Sequence, residues 1–429
     1  MTDGIEKRKK NAHGPTVNAL KRAKFEAKQE RRRQQAALEQ QQSTQLSCAQ
    51  QWRSWFDDRK DYAAFVTKAD VLRIKELKHK QRHSAESVCS AEDERLRRIA
   101  SWIEPFFDLK GSDTVSATQH NNEERVFISE GTESVRLMIQ RCNTPLDTTT
   151  EATISPRNNA NDESTLPPSV RVLSILCKPN TFFEEPVRLI DDVEKRISNN
   201  QSPFKIVIGN EDALSEIAGF NIARGALACG VVPTYFQKNG YEWLLNKIRQ
   251  QSSIRILALD AVCDTANLGS IIRTAAALSI DAVILSDDSC DAFYRQSVRV
   301  SMGHVINVPT LRVGDWRRSL NRDCNTTKHS GGLVEFITWL RDQMEIQCLA
   351  AVVDDESDDS QPPLVALESL IRNENKKSWC CVVGNEGRGI RNEVIKACNQ
   401  RVKISMATTV DSLSLPVAAA ILMHGLSQI

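Results

Sequence analysis

From Ile254 onward the chain alternates short runs of consecutive apolar residues with longer stretches in which apolar positions recur every three or four residues. Short continuous runs read as strands buried on both faces, and the 3.6-residue period reads as helices that cover them. The predicted strands are Arg255–Leu259, Ala282–Leu285, His304–Val308, Cys348–Val353, Trp379–Val383 and Val402–Ile404. Helices predicted between them include Ser270–Leu278, Val334–Gln347 and Ser412–Leu426. Together these elements predict an α/β fold, a parallel sheet with helices on both faces. Upstream, Asp93 to Ile99 opens a helical pattern, and Arg125–Ile128, Val170–Leu176 and Lys205–Ile208 read as strands. The expected organisation is a small α/β domain over 93–247 followed by a larger one over 248–429.

Two stretches lack either period. Residues 1–45 combine the clusters Lys7-Arg8-Lys9-Lys10 and Arg31-Arg32-Arg33 with a Gln-rich run, and 46–92 read as polar and helical. Residues 1–45 hold almost no large apolar side chain to offset the entropy of ordering, so the reading there is disorder or a solvated helix, and organised structure is expected to start near Asp93. This 1–92 extension is either a phosphate-binding arm or nuclear address, or a solubilising tail. Asn143 to Pro168, rich in Thr, Ser, Asn and Pro, is expected to loop out of the small domain as a disordered insertion.

Charge changes this picture. The 429 residues carry a formal net charge of +1, which argues against a nucleic-acid partner only until it is divided. Residues 1–90 hold 20 Lys+Arg against 11 Asp+Glu, so a +9 arm precedes a −8 remainder. Such asymmetry often accompanies a polyanionic partner. The longest apolar stretch, Leu415 to Met423, is far short of the ~18 residues of a membrane-spanning helix, and no membrane association is expected. The charged start Met1–Lys10 is followed by no apolar signal region, and Asp3, Glu6, Glu26, Glu30 and Glu39 disfavour an organellar transit peptide. The expectation is an intracellular protein, cytoplasmic or nuclear and nucleolar. Twelve cysteines form no CxxC pair, so no metal and no disulfide framework are expected; those in apolar runs, such as Cys348 and Cys380, read as small buried hydrophobes.

In a parallel sheet, ligands bind beyond the carboxyl ends of the strands. Three strand exits here are unusual. The first, Asp260 to Arg273, is expected to place Asn267 and Gly269 in a turn and Arg273 within the first turns of the next helix. An arginine there suits phosphate, because its planar fork donates two parallel hydrogen bonds, although a solvated helix-start arginine is the commoner case. The second, Gly384-Asn385-Glu386-Gly387-Arg388-Gly389, lets a ligand approach the backbone closely. The third runs from Val402 through Ser405-Met406 to Val410-Asp411-Ser412-Leu413-Ser414-Leu415-Pro416, with Asp411 or Ser412 as a helix N-cap and Pro416 close to the helix start.

Each segment alone is weak. In this order and spacing they resemble the three motifs of the SpoU/TrmH-type RNA 2′-O-ribose methyltransferases of the SPOUT superfamily: N-x-G-x-x-x-R, then G-x-E-G-x-G, then a strand with I-P-M-like residues and S-L-N-V. Asp291 to Gly303 and Gly219 to Ala228 resemble the same family, and Glu130-Gly131 resembles its small RNA-binding domain. The resemblance covers roughly 93–429.

It implies a C-terminal trefoil knot, a homodimer through the methyltransferase domain, S-adenosylmethionine as cofactor, and methyl transfer to a ribose 2′-hydroxyl in structured tRNA or rRNA. By motif position, Asn267, Arg273, Glu386, Ser412 and Ser414 would be catalytic, and Gly384, Gly387, Ile404, Met406 and Leu413 would contact the cofactor. The family proposal makes the motif-one arginine a base assisted by an RNA phosphate. Arginine's proton affinity favours Arg273 as the group that orients phosphate and ribose instead. Ser414 stands where the family has Asn and lacks an amide's second donor. That departure sets a second reading beside the first, a catalytically weak or inactive methyltransferase-like RNA-binding or ribosome-assembly factor.

Overall fold

The computed structural model describes residues 53–57, 59–81, 90–107, 109, 125–142, 170–184, 188–197, 202, 204–222, 225–233, 240–251, 253–314, 316, 331–353, 360–371, 378–407 and 409–428. The arm 1–45, the insertion 143–168 and the acidic run Asp354–Asp359 lie outside them. The chain divides into a unit 1–60 and a unit 61–429. In the first, helix α1 (Arg53–Asp57) is followed by Arg59, whose guanidinium donates to the Trp55 carbonyl at 3.0 Å and lies 4.8 Å from the Trp55 ring centroid.

The second unit opens with β1 (Ala63–Val66), α2 (Lys68–Gln81) and α3 (Ala91–Ile103). Organised structure therefore begins some thirty residues before the expected Asp93. The strand is only four residues long and half alanine, set between Asp61 and Lys68, too short for a period to register. Helix α3 forms where the pattern placed it: the Ser90 hydroxyl accepts from the Asp93 amide at 3.1 Å, Glu92, Asp93 and Glu94 complement the helix dipole, and Leu96, Ile99, Ala100 and Ile103 make one buried stripe.

There follow β2 (Val126–Glu130), α4 (Thr132–Gln140), β3 (Val172–Cys177), α5 (Pro179–Phe183), α6 (Leu189–Glu194), β4 (Lys205–Gly209), α7 (Glu211–Ala218) and β5 (Ala226–Val231). Their sheet has the order β1-β4-β3-β5-β2; β1, β4 and β3 are parallel, and β5 runs antiparallel to both neighbours.

The C-terminal half contains α8 (Gly240–Gln250), β6 (Arg255–Asp260), α9 (Thr265–Ala277), β7 (Ala282–Leu285), α10 (Arg295–Val300), β8 (Thr310–Arg312), α11 (Gly331–Met344), β9 (Gln347–Ala351), β10 (Leu364–Ala366), α12 (Leu367–Ile371), β11 (Trp379–Gly384), α13 (Asn392–Ala397), β12 (Gln400–Lys403) and α14 (Leu415–Leu426). The sheet order is β10-β12-β9-β11-β6-β7-β8, parallel throughout. Alternate strand residues Ile256, Ala258, Cys380 and Val382 pack with Trp316, Phe336 and Leu340 on one face. On the other face α14 packs against β11 and α9. Both faces are covered, as the continuous apolar runs required.

One expected strand is absent. His304–Val308 contains a 3-10 turn, His304–Ile306, because Met302 and Gly303 take φ of 53° and 81° and fold the chain over before it can extend. Val305, Ile306 and Val308 are buried all the same, and the strand comes later, at Thr310–Arg312.

Candidate active site

The site lies at the carboxyl edge of the seven-stranded sheet, where β6 and β11 end side by side with Gly384 opposite Asp260. After β6 the chain enters α9 at once. Asp264 caps the helix, its Oδ1 accepting from the Asn267 amide at 2.7 Å. Asn267 and Gly269 are thus in the first turns of a helix and not in a loop, and Arg273 falls in its third turn. Gly269 is required there by close packing: a Cβ would come 2.6 Å from the Ser297 carbonyl oxygen of α10.

After β11 the Gly-rich segment closes on itself. Asn385 and Gly389 exchange backbone hydrogen bonds of 3.1 and 2.8 Å. The Asn385 side chain accepts from the Gly387 amide at 2.8 Å and donates to the Ala261 carbonyl at 2.9 Å, which ties this turn to the exit of β6. A Cβ on Gly384 would lie 2.2 Å from the Gly389 carbonyl carbon, whereas one on Gly389, at φ 67°, would meet nothing within 4 Å. The Asn267 amide donates to Glu386 Oε1 across the gap, joining the first two predicted motifs.

Beneath them is a charged network that the sequence reading did not assign. Asp260 is fully buried and accepts from the Arg391 backbone amide at 2.9 Å and from its Nε at 2.9 Å. The same guanidinium reaches Asp288 Oδ2 at 3.1 Å. Burial works against the Arg391 charge, yet the hydrogen bonds and charges of Asp260 and Asp288 outweigh it and hold its pKa above the ordinary value. Arg312 fixes the neighbouring loop by donating to the carbonyls of Ser286, Asp287, Ser289 and Cys290 at 3.0 to 3.3 Å. The signal for this network was a carboxylate at the end of an apolar strand, which demands a cation.

The third segment is less tightly joined. Ile404, Met406 and Leu413 are half-buried, and Ser412 and Ser414 are exposed. The N-cap of α14 is Ser414, not Asp411 or Ser412, and it caps through its carbonyl, which accepts from Val417 and Ala418 at 3.0 Å, while its hydroxyl makes no capping bond. Among the described residues no hydrogen bond links Ser412 or Ser414 to Asn267 or Glu386. Packing of α14 against α9 and β11 brings this segment to the same edge.

Arg273 is exposed and its charge faces His304. Arg295 donates to the Leu109 carbonyl at 2.7 Å and covers the Phe220 ring at 5.2 Å. Cys348, Cys380 and Cys381 are fully buried, and burial pushes the Cys381 thiol up to about 12. No group of three or more His, Cys, Asp or Glu among the described residues is placed to hold a metal ion, and no helix among them is long and apolar enough to cross a membrane.

Residues 255–424 match the SpoU rRNA Methylase family. The chain is 30% identical over 220 residues to an uncharacterized tRNA/rRNA methyltransferase of Mycobacterium tuberculosis, covering 50% of this chain and 62% of that protein. It is 27% identical over 172 residues to the 23S rRNA (guanosine(2553)-2′-O)-methyltransferase RlmP of Bacillus subtilis, covering 40% and 57%. Identity to the 23S rRNA (guanosine-2′-O-)-methyltransferase RlmB of Bordetella pertussis is 29% over 206 residues, covering 47% and 71%. The match thus spans less than two thirds of the mycobacterial relative's length. The family match is confined to residues 255–424, 170 of the chain's 429 residues.

Proposed function

We propose that this protein transfers a methyl group from S-adenosylmethionine to a ribose 2′-hydroxyl of a structured RNA, a tRNA or an rRNA. The observation that carries the reading is the Asn267–Glu386 hydrogen bond, which joins an Arg-bearing helix to a glycine turn at one strand edge.

The residues present fit the cofactor. Gly389 opens onto free space, Gly387 meets only the Asn385 oxygen at 3.5 Å, and Ile404, Met406 and Leu413 keep apolar surface outside the core. Backbone groups of Gly384 and Gly387 and these three side chains would hold it. When bound, it supplies an electrophilic methyl group on a sulfonium. Glu386, fixed by Asn267, keeps the turn in place. Arg273 presents its fork to an RNA phosphate and so aligns the ribose, while the exposed Ser412 and Ser414 hydroxyls are within the same edge to bind the sugar. Alignment of this kind supplies on the order of 7–11 kcal/mol in well-oriented intramolecular reactions, enough that no strong base is needed to explain a large acceleration.

The reading includes the C-terminal trefoil knot and a homodimer. For the dimer, Val417 and Ile421, one turn apart on α14, are 47% and 37% exposed, an apolar stripe opposite the buried Ala419, Leu422 and Met423. The deciding experiment maps 2′-O-methyl sites in RNA from cells with and without the protein, with S-adenosylmethionine binding measured by calorimetry. A site lost with the protein and restored by wild type but not by Arg273→Ala is expected. No change in methylation together with no cofactor binding would overturn the reading.

A further inference from the structure

The turn that replaces the expected strand sits between the two halves of the second unit. Gly303 at φ 81° lets its backbone lie against α4, where a Cβ would come 2.7 Å from Ser134 Oγ and 3.4 Å from Ser134 Cα. Arg141 follows Ser134 by seven residues, two turns along, so the face of α4 that meets Gly303 is continued by Arg141 at the helix C-cap. On the other side the turn packs against α9, which carries Arg273. His304 is half-buried between them.

The charges that oppose protonation of its imidazole are Arg273 of α9 and Arg141 at the end of α4, and the Asn307 amide on its own turn lies 3.1 Å from Nδ1. An amide that donates to Nδ1 leaves Nε2 to carry the ring proton, a tautomer assigned from that bond. Burial, and then the two guanidiniums, hold the imidazole below its ordinary pKa. Among the described residues no carboxylate pairs with the Arg141 or Arg273 side chain. Two cations set around an imidazole without a counter-charge form an anion site, and a phosphodiester supplies two oxygens for two forks.

We propose that Arg141, His304 and Arg273 together bind one backbone phosphate of the RNA and so clamp the substrate across the seam between the five-stranded and seven-stranded sheets. The proposal rests on the RNA methyltransferase reading of the same site and adds a residue from the other half of the molecule.

The test is binding of a fluorescent total-tRNA pool and of labelled rRNA fragments to the full chain, over a range of salt and pH. Arg141→Gln is expected to weaken binding about three- to tenfold and to lower the slope of log Kd against log salt by roughly 0.7–0.9, the loss of one phosphate contact. Arg141→Lys is expected to keep the slope. Phosphate binding makes protonated His304 favourable, so wild-type affinity should rise as pH falls below the ordinary histidine range, and His304→Gln should flatten that rise. S-adenosylmethionine affinity should stay unchanged in all three variants. An unchanged salt slope in Arg141→Gln overturns the clamp, even if the wild type methylates RNA. The expected slopes without any methyl transfer by wild type would keep the clamp and overturn the enzymatic reading instead.

Discussion

Asp260 carries a charge to the end of an apolar strand and is wholly buried, so its energetics differ in kind from those of the surface pairs. An exposed pair such as Lys78 and Glu104 contributes at most about 1 kcal/mol, but removing one partner of a buried pair costs about 3–5 kcal/mol because the other charge is stranded. Arg391→Met is therefore expected to lower unfolding stability by about 3 kcal/mol, read as an earlier urea midpoint, whereas Lys78→Met should scarcely move it. His304 makes a pH-dependent contribution of definite sign. Burial lowers its folded pKa, so as pH falls through the usual histidine range the unfolded chain binds the proton first and stability drops. Melting temperatures from pH 8 to 5 should show that drop in wild type and a smaller one in His304→Gln. Gly384→Ala places a Cβ 2.2 Å from the Gly389 backbone, and calorimetry should show cofactor binding lost while the fold persists. Asn267, Glu386 and Gly384 were legible in the sequence because their spacing is a pattern. Arg391 was not, since no motif marks it and its partner Asp260 stands 131 residues away in the chain.

Among the elements, the two serine and aspartate caps at the site make opposite use of their side chains. Asp264 caps α9 by accepting from the Asn267 backbone amide, and the Asn267 side chain donates to Glu386, so Asp264→Ala is expected to cost about 1 kcal/mol and to loosen the motif-one to motif-two bond as well. Ser414 caps α14 through its carbonyl alone, so Ser414→Ala should change stability by less than about 0.5 kcal/mol, and any larger loss of methyl transfer would belong to the hydroxyl's part in the site. Thermal unfolding beside a turnover assay separates the two. Strands β6, β7 and β11 were readable because they are covered on both faces and therefore apolar through their interiors. The 304–308 segment also buries Val305, Ile306 and Val308, yet it turns, because apolar residues report burial while the left-handed backbone at Met302 and Gly303 decides direction.

At the scale of the whole molecule, the seam between the two sheets is held by specific contacts: Arg125 with Asp291, the Phe127 and Phe293 rings at 5.1 Å, and Arg295 on the Leu109 carbonyl. The five-stranded sheet includes β1, upstream of the Asp93 at which organised structure was expected to start. Val66, Val71 and Ile74 are buried in the core of the smaller sheet, and at about 1.5–3 kcal/mol for each buried side chain their removal would take away much of a typical net stability of 5–15 kcal/mol. The basic arm is therefore testable only by cutting at the unit boundary, after residue 60. Residues 1–60 hold 14 Lys+Arg against 7 Asp+Glu, a net of +7. Deleting them is expected to leave the melting temperature and S-adenosylmethionine affinity unchanged and to reduce the salt slope of RNA binding by several phosphate contacts. Deleting residues 1–90 should instead remove β1 and α2 and lower the melting temperature sharply. If the shorter deletion keeps the full salt slope, the arm makes no phosphate contact, and the whole electrostatic component of RNA binding falls to the folded unit, where Arg141 and Arg273 face the seam.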